Sequence, residues 1–189
     1  CPGSTPVACW SPMNRTVTLV DEQDNPLGEA DILEAHTGRG KLHRAFSAYV
    51  FRKNKTEILI QRRSAKKMLW PIFWANTCCS HPFKDEAAEA AGRRRLNEEL
   101  GFTCELKPGP SFVYRAQDPA GRGVEHEHVT ILIGETDHPE VQPNPEEVAE
   151  WRWANVEQLR EEMAKNPDAY APWFHLGLAH ILKNLKLET

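Results

Sequence analysis

Short apolar runs separated by polar turns alternate along the chain with longer segments that favour helices. The runs typical of strands are 17–20, 45–51, 57–61, 112–116 and 129–134. Asn54 lies in a polar turn, so we expect 45–51 and 57–61 to pair as neighbours. The segments typical of helices are 85–100, which Gly101 ends, 155–164 and 173–185. This order of elements predicts a mixed α/β fold.

Composition and charge narrow the class of protein. The 189 residues are 40% hydrophobic and 26% charged, as in a globular domain with its own core. A net charge of −4 argues against nucleic acid as a partner. No apolar run approaches the roughly 18 residues that span a bilayer, so no membrane segment is predicted. We expect 13–189 to form one domain, and 1–12 to be a loose leader or cloning remnant, with Met13 as the native start.

Cysteine usage indicates a reducing compartment, and we therefore expect a cytoplasmic protein. The count is odd, two cysteines are adjacent, and no framework of disulfide spacings is visible. Cys104 is interpreted as a small buried apolar residue. The five cysteines are Cys1, Cys9, Cys78, Cys79 and Cys104.

Adjacent carboxylates end the central predicted helix. Glu98 and Glu99 are suited to a divalent metal, because hard cations prefer charged oxygen, although a solvated acidic helix end explains them equally well. The wider spacing resembles the Nudix box, the metal and diphosphate signature, with two departures. Ser80 stands where the box has its first glycine, and Arg95 stands where it has a metal-binding glutamate, which makes diphosphate hydrolysis a weaker prediction. The matching positions are Glu86, Arg94, Leu96, Glu98, Glu99, Gly101 and Phe102.

Histidines and carboxylates form a candidate metal site. In the alternating stretch 125–128, Glu125 and Glu127 share one face of a strand, while His126 and His128 share the other. With His36, His43 and His81 they make a donor set for a borderline or hard divalent ion such as Zn²⁺, Mn²⁺ or Mg²⁺. Taken singly, each histidine is more often structural, and the two glutamates also fit a solvated strand face. His138, His175 and His180 are interpreted as structural or surface residues.

Basic residues precede Trp70 and offer a diphosphate clamp. Arginine matches phosphate oxygens with two hydrogen bonds and lysine acts as a point charge. A basic surface loop is the alternative. The residues are Arg62, Arg63, Lys66 and Lys67.

Cys79 and two aromatic residues complete the candidate chemistry. Neighbouring imidazoles, metal and basic residues predict a lowered pKa and a reactive thiol for Cys79. Tyr114 and Trp173 are candidates to face a cationic intermediate, because a π face attracts positive charge, with core packing as the alternative.

Together these stretches resemble the type 1 isopentenyl-diphosphate isomerase family, between about His36 and Trp173. No single motif is decisive, whereas their combination and order are specific. The stretches are Ala35-His36-Thr37, Leu42-His43-Arg44-Ala45-Phe46-Ser47, Asn76-Thr77-Cys78-Cys79-Ser80-His81-Pro82, Glu98-Glu99-Leu100-Gly101, Tyr114-Arg115-Ala116, Glu125-His126-Glu127 and Pro172-Trp173.

The resemblance implies a Nudix-like mixed β-sheet between helices, and interconversion of isopentenyl and dimethylallyl diphosphates. Separately, we expect a monomer. The resemblance also implies that Glu127, assisted by Tyr114, delivers a proton, and that Cys79 on the opposite face of the substrate removes another. It implies that Glu99 holds a substrate-bridging Mg²⁺ and that Trp173 faces the carbocation. Metal ligands implied at the tightly held site are His36, His43, His81, Glu125 and Glu127, and diphosphate contacts are Arg63, Lys67 and Arg95.

One position departs from the family. A lysine is often found four residues before the first metal histidine, where this chain has Ile32, and Arg39 or Lys41 are candidates to replace it. The competing hypotheses are a Nudix diphosphohydrolase and a non-catalytic module with a structural metal site.

Overall fold

The computed structural model describes residues 15–137 and 139–185. The expected leader at 1–12, the start at Met13 and His138 lie outside the described residues. No helix among those described is long and apolar enough to cross a membrane.

The described residues contain nine strands, joined in one mixed sheet. The path β2-β1-β3-β4-β5 forms its main order, with β6 and β8 also paired to β3, β7 to β8 and β9 to β4. The β3–β8 pair is parallel, and every other pair is antiparallel. The strands are β1 (Thr16–Val20), β2 (Pro26–Asp31), β3 (His43–Arg52), β4 (Glu57–Arg63), β5 (Trp74–Ala75), β6 (Cys78–Ser80), β7 (Leu106–Gln117), β8 (Val124–Glu135) and β9 (Val148–Asn155).

Helices lie on both faces of the sheet. They are α1 (Ile32–Ala35), α2 (Ala88–Leu100), α3 (Val156–Lys165) and α4 (Pro172–Leu185), with a short 3₁₀ turn at Pro167–Ala169. The prediction that the central helix begins at 85 is wrong by three residues, because Asp85 has a left-handed φ of 61°. The predicted end of this helix is confirmed, since Gly101 adopts φ 72° and its N–H donates to the Asn97 carbonyl oxygen. Asn155 caps α3 by accepting hydrogen bonds from the N–H groups of Glu157 and Gln158.

The predicted strands are present, but the sequence missed β2, β5, β6 and β9. Most residues of β2 and β9 are at least partly exposed, and in β2 only Ala30 is buried. Neither strand therefore shows a clear apolar pattern in the sequence. The predicted hairpin pairing is limited to Phe51 with Ile58 and Arg52 with Glu57. Most of β4 instead pairs with β9, a partner almost a hundred residues later in the chain.

Successive side chains of the central strands point to opposite faces of the sheet, so the core consists of two hydrophobic clusters. On one face, Tyr49 packs with Phe174 and other residues of α4, and Gly177 leaves the room that the Tyr49 ring needs. On the other face, Phe46 packs with Leu96 and other residues of α2. Each face buries more than ten hydrophobic residues, and each of the large side chains among them contributes roughly 1.5–3 kcal/mol, which fixes the register of the strands. The sheet therefore presents one defined set of side chains beneath α4.

Candidate active site

Five side chains that the sequence grouped as metal ligands lie together beneath this face. Their ligand atoms are all within 4.8 Å of one another, and four of the five residues are buried. His43 pairs with Glu127 across β3 and β8, and Glu125 projects from the same face two residues earlier. His36 follows α1 and His81 follows β6. We call these five residues the His/Glu cluster.

Backbone carbonyls orient two of the imidazoles. His36 Nδ1 donates to the Ile32 oxygen at 2.6 Å, and His43 Nδ1 donates to the Lys41 oxygen at 2.7 Å. Since Nδ1 carries the donated proton, Nε2 of each ring faces the cluster, where His36 Nε2 lies 3.0 Å from Glu125 Oε2. Three inward imidazole nitrogens and two carboxylates fit a divalent cation of the borderline or hard kind.

The ionisable groups of the His/Glu cluster shift one another's pKa values. Burial, and then the neighbouring Glu127, raise the pKa of Glu125. Hydrogen bonds from His43 and His81 outweigh burial and lower the pKa of Glu127. Burial opposes the charge on His36, but Glu125 raises the pKa of that imidazole to about 9. Burial lowers the pKa of His81 to about 4.

The two adjacent cysteines of β6 face opposite sides of the sheet. Cys79 pairs with Ser47 of β3 and lines a cavity of about 530 Å³, whereas Cys78 is fully buried in the core against α2. The expectation of a lowered thiol pKa is wrong for the protein alone. Burial raises the pKa of Cys79 to about 12, and the opposing charges of Arg63 and Lys67 do not overcome it.

Aromatic residues form the wall of the same cavity. Tyr114 faces Glu127 across β7 and β8, and its hydroxyl donates to Glu127 Oε2 at 2.9 Å. Trp173 opens α4, lies 6.4 Å from the Tyr114 ring, and donates from Nε1 to Asn76 Oδ1 at 3.0 Å. Trp70 meets Trp173 edge to face at 5.4 Å. The Asn76 and Trp70 contacts were not anticipated, because they join positions about a hundred residues apart.

Basic residues and Glu147 also line the cavity, and the buried Glu99 lies behind them. Lys67 is ion-paired with Glu147 and lies 3.7 Å from Glu99. Arg95 pairs with Glu99 and lies 3.3 Å from Glu147. We call Arg63, Lys67, Arg95, Glu99 and Glu147 the basic cluster. The sequence missed Glu147, which stands in a polar loop without a motif.

Neighbouring groups hold the basic cluster in place. The Arg63 guanidinium donates to the Leu69 and Trp70 carbonyls and lies 5.2 Å from the Trp173 ring. Gln61 donates to Glu99 Oε2 at 2.8 Å. The polar Gln61 within the apolar run of β4 was the available signal for this contact.

A buried carboxylate supports the cavity wall from the β7–β8 turn. Asp118 accepts from the Trp70 N–H at 2.8 Å and from the Arg122 guanidinium at 2.9 Å. Burial alone would raise the pKa of Asp118, but these donors lower it. Trp70 and Ile72 both have left-handed φ angles, so Asp118 and Arg63 hold a constrained loop from two sides. No motif in the sequence predicted this role for Asp118.

Several candidate residues lie elsewhere. Arg62 pairs with Glu150, and the exposed Lys66 pairs with Glu146 at the rim of the cavity. Neither Arg39 nor Lys41 lines the cavity, and the Lys41 amine pairs with Glu34 at the surface, so the expected substitution for Ile32 does not come from them. Among the remaining histidines, His126 contacts the Gly40 carbonyl, His175 the Pro167 carbonyl, and His180 stacks on Phe112.

Comparison with known proteins defines the class first. Residues 41–174 match the family model described as NUDIX domain. A crystal structure of DR0079 from Deinococcus radiodurans aligns with TM-score 0.69, 20% identity, and coverage of 88% of this chain and 99% of that one. A MutT protein from Methanosarcina mazei Go1 aligns with TM-score 0.60, 16% identity, and coverage of 77% and 96%. The chain is a Nudix-domain protein, and the predicted fold class is confirmed.

Curated relatives identify the family within that class. An isopentenyl-diphosphate Delta-isomerase from Nocardia farcinica is 44% identical over 88% of this chain and 92% of its own length. One from Burkholderia multivorans is 45% identical over 86% of this chain and 90% of its own length. The chain belongs to the isopentenyl-diphosphate Delta-isomerase family, as the motif combination predicts.

Proposed function

We propose that this protein interconverts isopentenyl and dimethylallyl diphosphates. One observation carries the proposal beyond the family: the Cys79 thiol and the Glu127–Tyr114 pair line the same cavity as Arg63, Lys67 and Arg95. The relatives of this length act, by their names, on isopentenyl diphosphate.

The cavity supports one orientation of such a substrate. The diphosphate meets Arg63, Lys67 and Arg95, because guanidinium and ammonium groups bind phosphate oxygens. The five-carbon chain then extends toward Tyr114 and Trp173. Binding energy from the diphosphate thus positions a hydrocarbon chain that has no polar group for the protein to bind.

The reaction adds a proton to one carbon of the alkene and removes one from another. We assign these transfers to Glu127 and Cys79, which project from strands on either side of β3. Their roles reverse between the two directions, so the assignment is to the pair. The Tyr114 hydroxyl holds Glu127 by its hydrogen bond, and the Cys79 thiol of the substrate-free protein is protonated.

The wall around the reacting carbons suits a tertiary cation. The Trp173 ring faces the cavity, and cation–π attraction reaches about 2 kcal/mol when water is excluded. Buried surroundings also keep water from capturing the cation. Trp173 is kept in place by the Asn76 hydrogen bond and by Trp70.

Two metal sites belong to the proposal. The His/Glu cluster would hold Mn²⁺, Zn²⁺ or Mg²⁺, and Glu99 would hold a Mg²⁺ that bridges to the diphosphate. When bound, these ions supply positive charge that polarises the Glu127 carboxyl and neutralises the diphosphate. Glu99 is almost fully buried and already accepts from Arg95 and Gln61, with Lys67 3.7 Å away, so a metal ion would share its oxygens with these groups.

We further propose that the protein acts as a monomer in the cytoplasm. Cys78, Cys79 and Cys104 are free thiols, which supports a reducing compartment. Cys104 is only partly covered, packing at the edge of the core beside α2.

Diphosphate hydrolysis is the competing activity, favoured by the Nudix box. Arg95 opposes it, because a cation there pairs with Glu99 where the box supplies a second metal-binding carboxylate. Incubation of the metal-loaded protein with isopentenyl diphosphate in D₂O separates the activities. We expect dimethylallyl diphosphate that carries deuterium. Release of phosphate would establish the hydrolase instead, and an unchanged substrate would establish a binding module.

A further inference from the structure

Arg15 stands at the rim of the proposed diphosphate site. It precedes β1 by one residue, and it lines the same cavity as Lys67 and Arg95. Its carbonyl accepts from the Ile32 N–H at 2.8 Å, so Arg15 and Ile32 are adjacent at the rim. The residue at position 32 is apolar and brings no charge. The arginine beside it restores a cation to this part of the cavity.

The other cavity cations are already engaged. Lys66 pairs with Glu146, Lys67 with Glu147, and Arg95 with Glu99. Arg63 is held by hydrogen bonds to the Leu69 and Trp70 carbonyls. Ion pairs between described residues do not include Arg15, whose exposed guanidinium has no carboxylate partner in this part of the chain. Arg15 is therefore the cavity cation best placed to turn toward an entering anion.

Arg15 and Arg95 line the same cavity and are close enough for their charges to interact. Although Arg15 as a residue is solvent-exposed, partial desolvation of its guanidinium and the charge of Arg95 lower its pKa, and Glu147 and Glu98 oppose the change. Nearby like charges destabilise each other, and an anion between them removes that cost. The buried Arg95 Nε also lacks an acceptor among the described residues. Both features favour an anion with several oxygens in this place.

We propose that Arg15 is a further diphosphate-binding residue, which supplies from the start of β1 the cation that Ile32 cannot supply. This inference rests on the proposed function for the identity of the substrate. The recognised chemistry, however, is that of a diphosphate group, and inorganic pyrophosphate tests it without any isomerisation.

Arg15→Gln removes the charge and keeps most of the length of an exposed side chain. Calorimetric titration of inorganic pyrophosphate into the Mg²⁺-containing protein should show binding weakened by about tenfold or more, the usual effect of one lost charge-assisted contact. Arg15→Lys should retain part of the affinity. Arg160→Gln, an equal charge change on α3 far from the cavity lining, should bind as the wild type does.

A second variant distinguishes the loss of a charge from a structural disturbance caused by the Arg15→Gln substitution. Introducing Ile32→Lys into Arg15→Gln should restore pyrophosphate binding, because it returns a cation to the adjacent position. In turnover, Arg15→Gln should raise KM for isopentenyl diphosphate and leave kcat within about threefold. Unchanged pyrophosphate affinity in Arg15→Gln would overturn the inference even if isomerisation is observed. Pyrophosphate binding that depends on Arg15 in a protein without isomerase activity would support the inference and remove the proposed function.

Discussion

The His/Glu cluster and the basic cluster occupy one cavity but are built in different ways. The His/Glu cluster takes three of its five residues from the paired strands β3 and β8, and two of its rings are fixed by backbone carbonyls. The basic cluster brings together β4, the following loop, α2 and the loop before β9. Before any substrate arrives, Lys67 and Arg95 are paired with glutamates, and Arg63 donates to backbone carbonyls.

This difference indicates a division of work. The strand-borne cluster holds its donors in place, as a site for metal and proton transfer requires. In the proposed function, the basic cluster exchanges internal ion pairs for contacts with a diphosphate and its Mg²⁺, so its contribution to binding is the difference between the two sets of contacts. Changes in the His/Glu cluster should therefore act mainly on kcat, and changes in the basic cluster mainly on KM.

The largest effect is expected for Glu127→Gln. The amide keeps the shape but cannot transfer the proton, and it is a poorer metal ligand, so kcat should fall by about 10,000-fold. Metal content measured by mass spectrometry should fall as well. Glu135→Gln, at the exposed end of the same strand, is the matched control and should leave both quantities unchanged.

Tyr114→Phe should have the next largest effect. Loss of the 2.9 Å hydrogen bond to Glu127 should lower kcat about 10- to 100-fold while metal content stays unchanged. Tyr170→Phe removes a hydroxyl that contacts Glu162 away from the cavity, and it should have near-normal kcat. A rise in KM without a change in kcat would place Tyr114 with the binding residues.

Lys67→Met tests the basic cluster. We expect KM for isopentenyl diphosphate to rise about tenfold with little change in kcat, because the lost contact serves bound substrate and transition state alike. Lys107→Met, at an exposed position of β7, supplies the control in steady-state kinetics. A main effect on kcat would break the proposed division of work.

The last prediction concerns protons and metal at the His/Glu cluster. The pKa of His36 is raised from 6.5 to about 9, so the metal-free protein holds a proton there at pH 7. That proton stabilises the metal-free fold fully below pH 6.5, and the contribution is lost as pH rises through 9. Metal must displace it, so metal affinity from calorimetry should rise with pH by up to about tenfold per unit in this window. Affinity that does not change from pH 7 to 9 would contradict this protonation.

Prediction from sequence succeeded where local patterns decide the structure. Alternation placed Glu125 and Glu127 on one face of β8, and apolar runs identified β3 and β4. The order of the motifs then grouped His36, His43 and His81 with these two glutamates as one candidate metal site.

The sequence could not supply contacts that depend on distant pairing or on burial. Glu147 meets Lys67 across 80 positions, and Asp118 reaches Trp70 across 48. Burial raises rather than lowers the pKa of Cys79, because desolvation exceeds the effect of nearby cations. These contacts and this pKa depend on how distant segments pack together, and the order of residues along the chain does not show that packing.

The two cysteines of β6 provide the most direct test of the central claim. Cys79 lines the cavity and Cys78 lies in the core on the other face of the sheet. We predict that Cys79→Ala keeps its fold and metal but loses at least about 1,000-fold in kcat for isopentenyl diphosphate, while Cys78→Ala stays within tenfold of the wild type. Near-normal turnover by Cys79→Ala, or inactivity confined to a folded Cys78→Ala, would contradict the account.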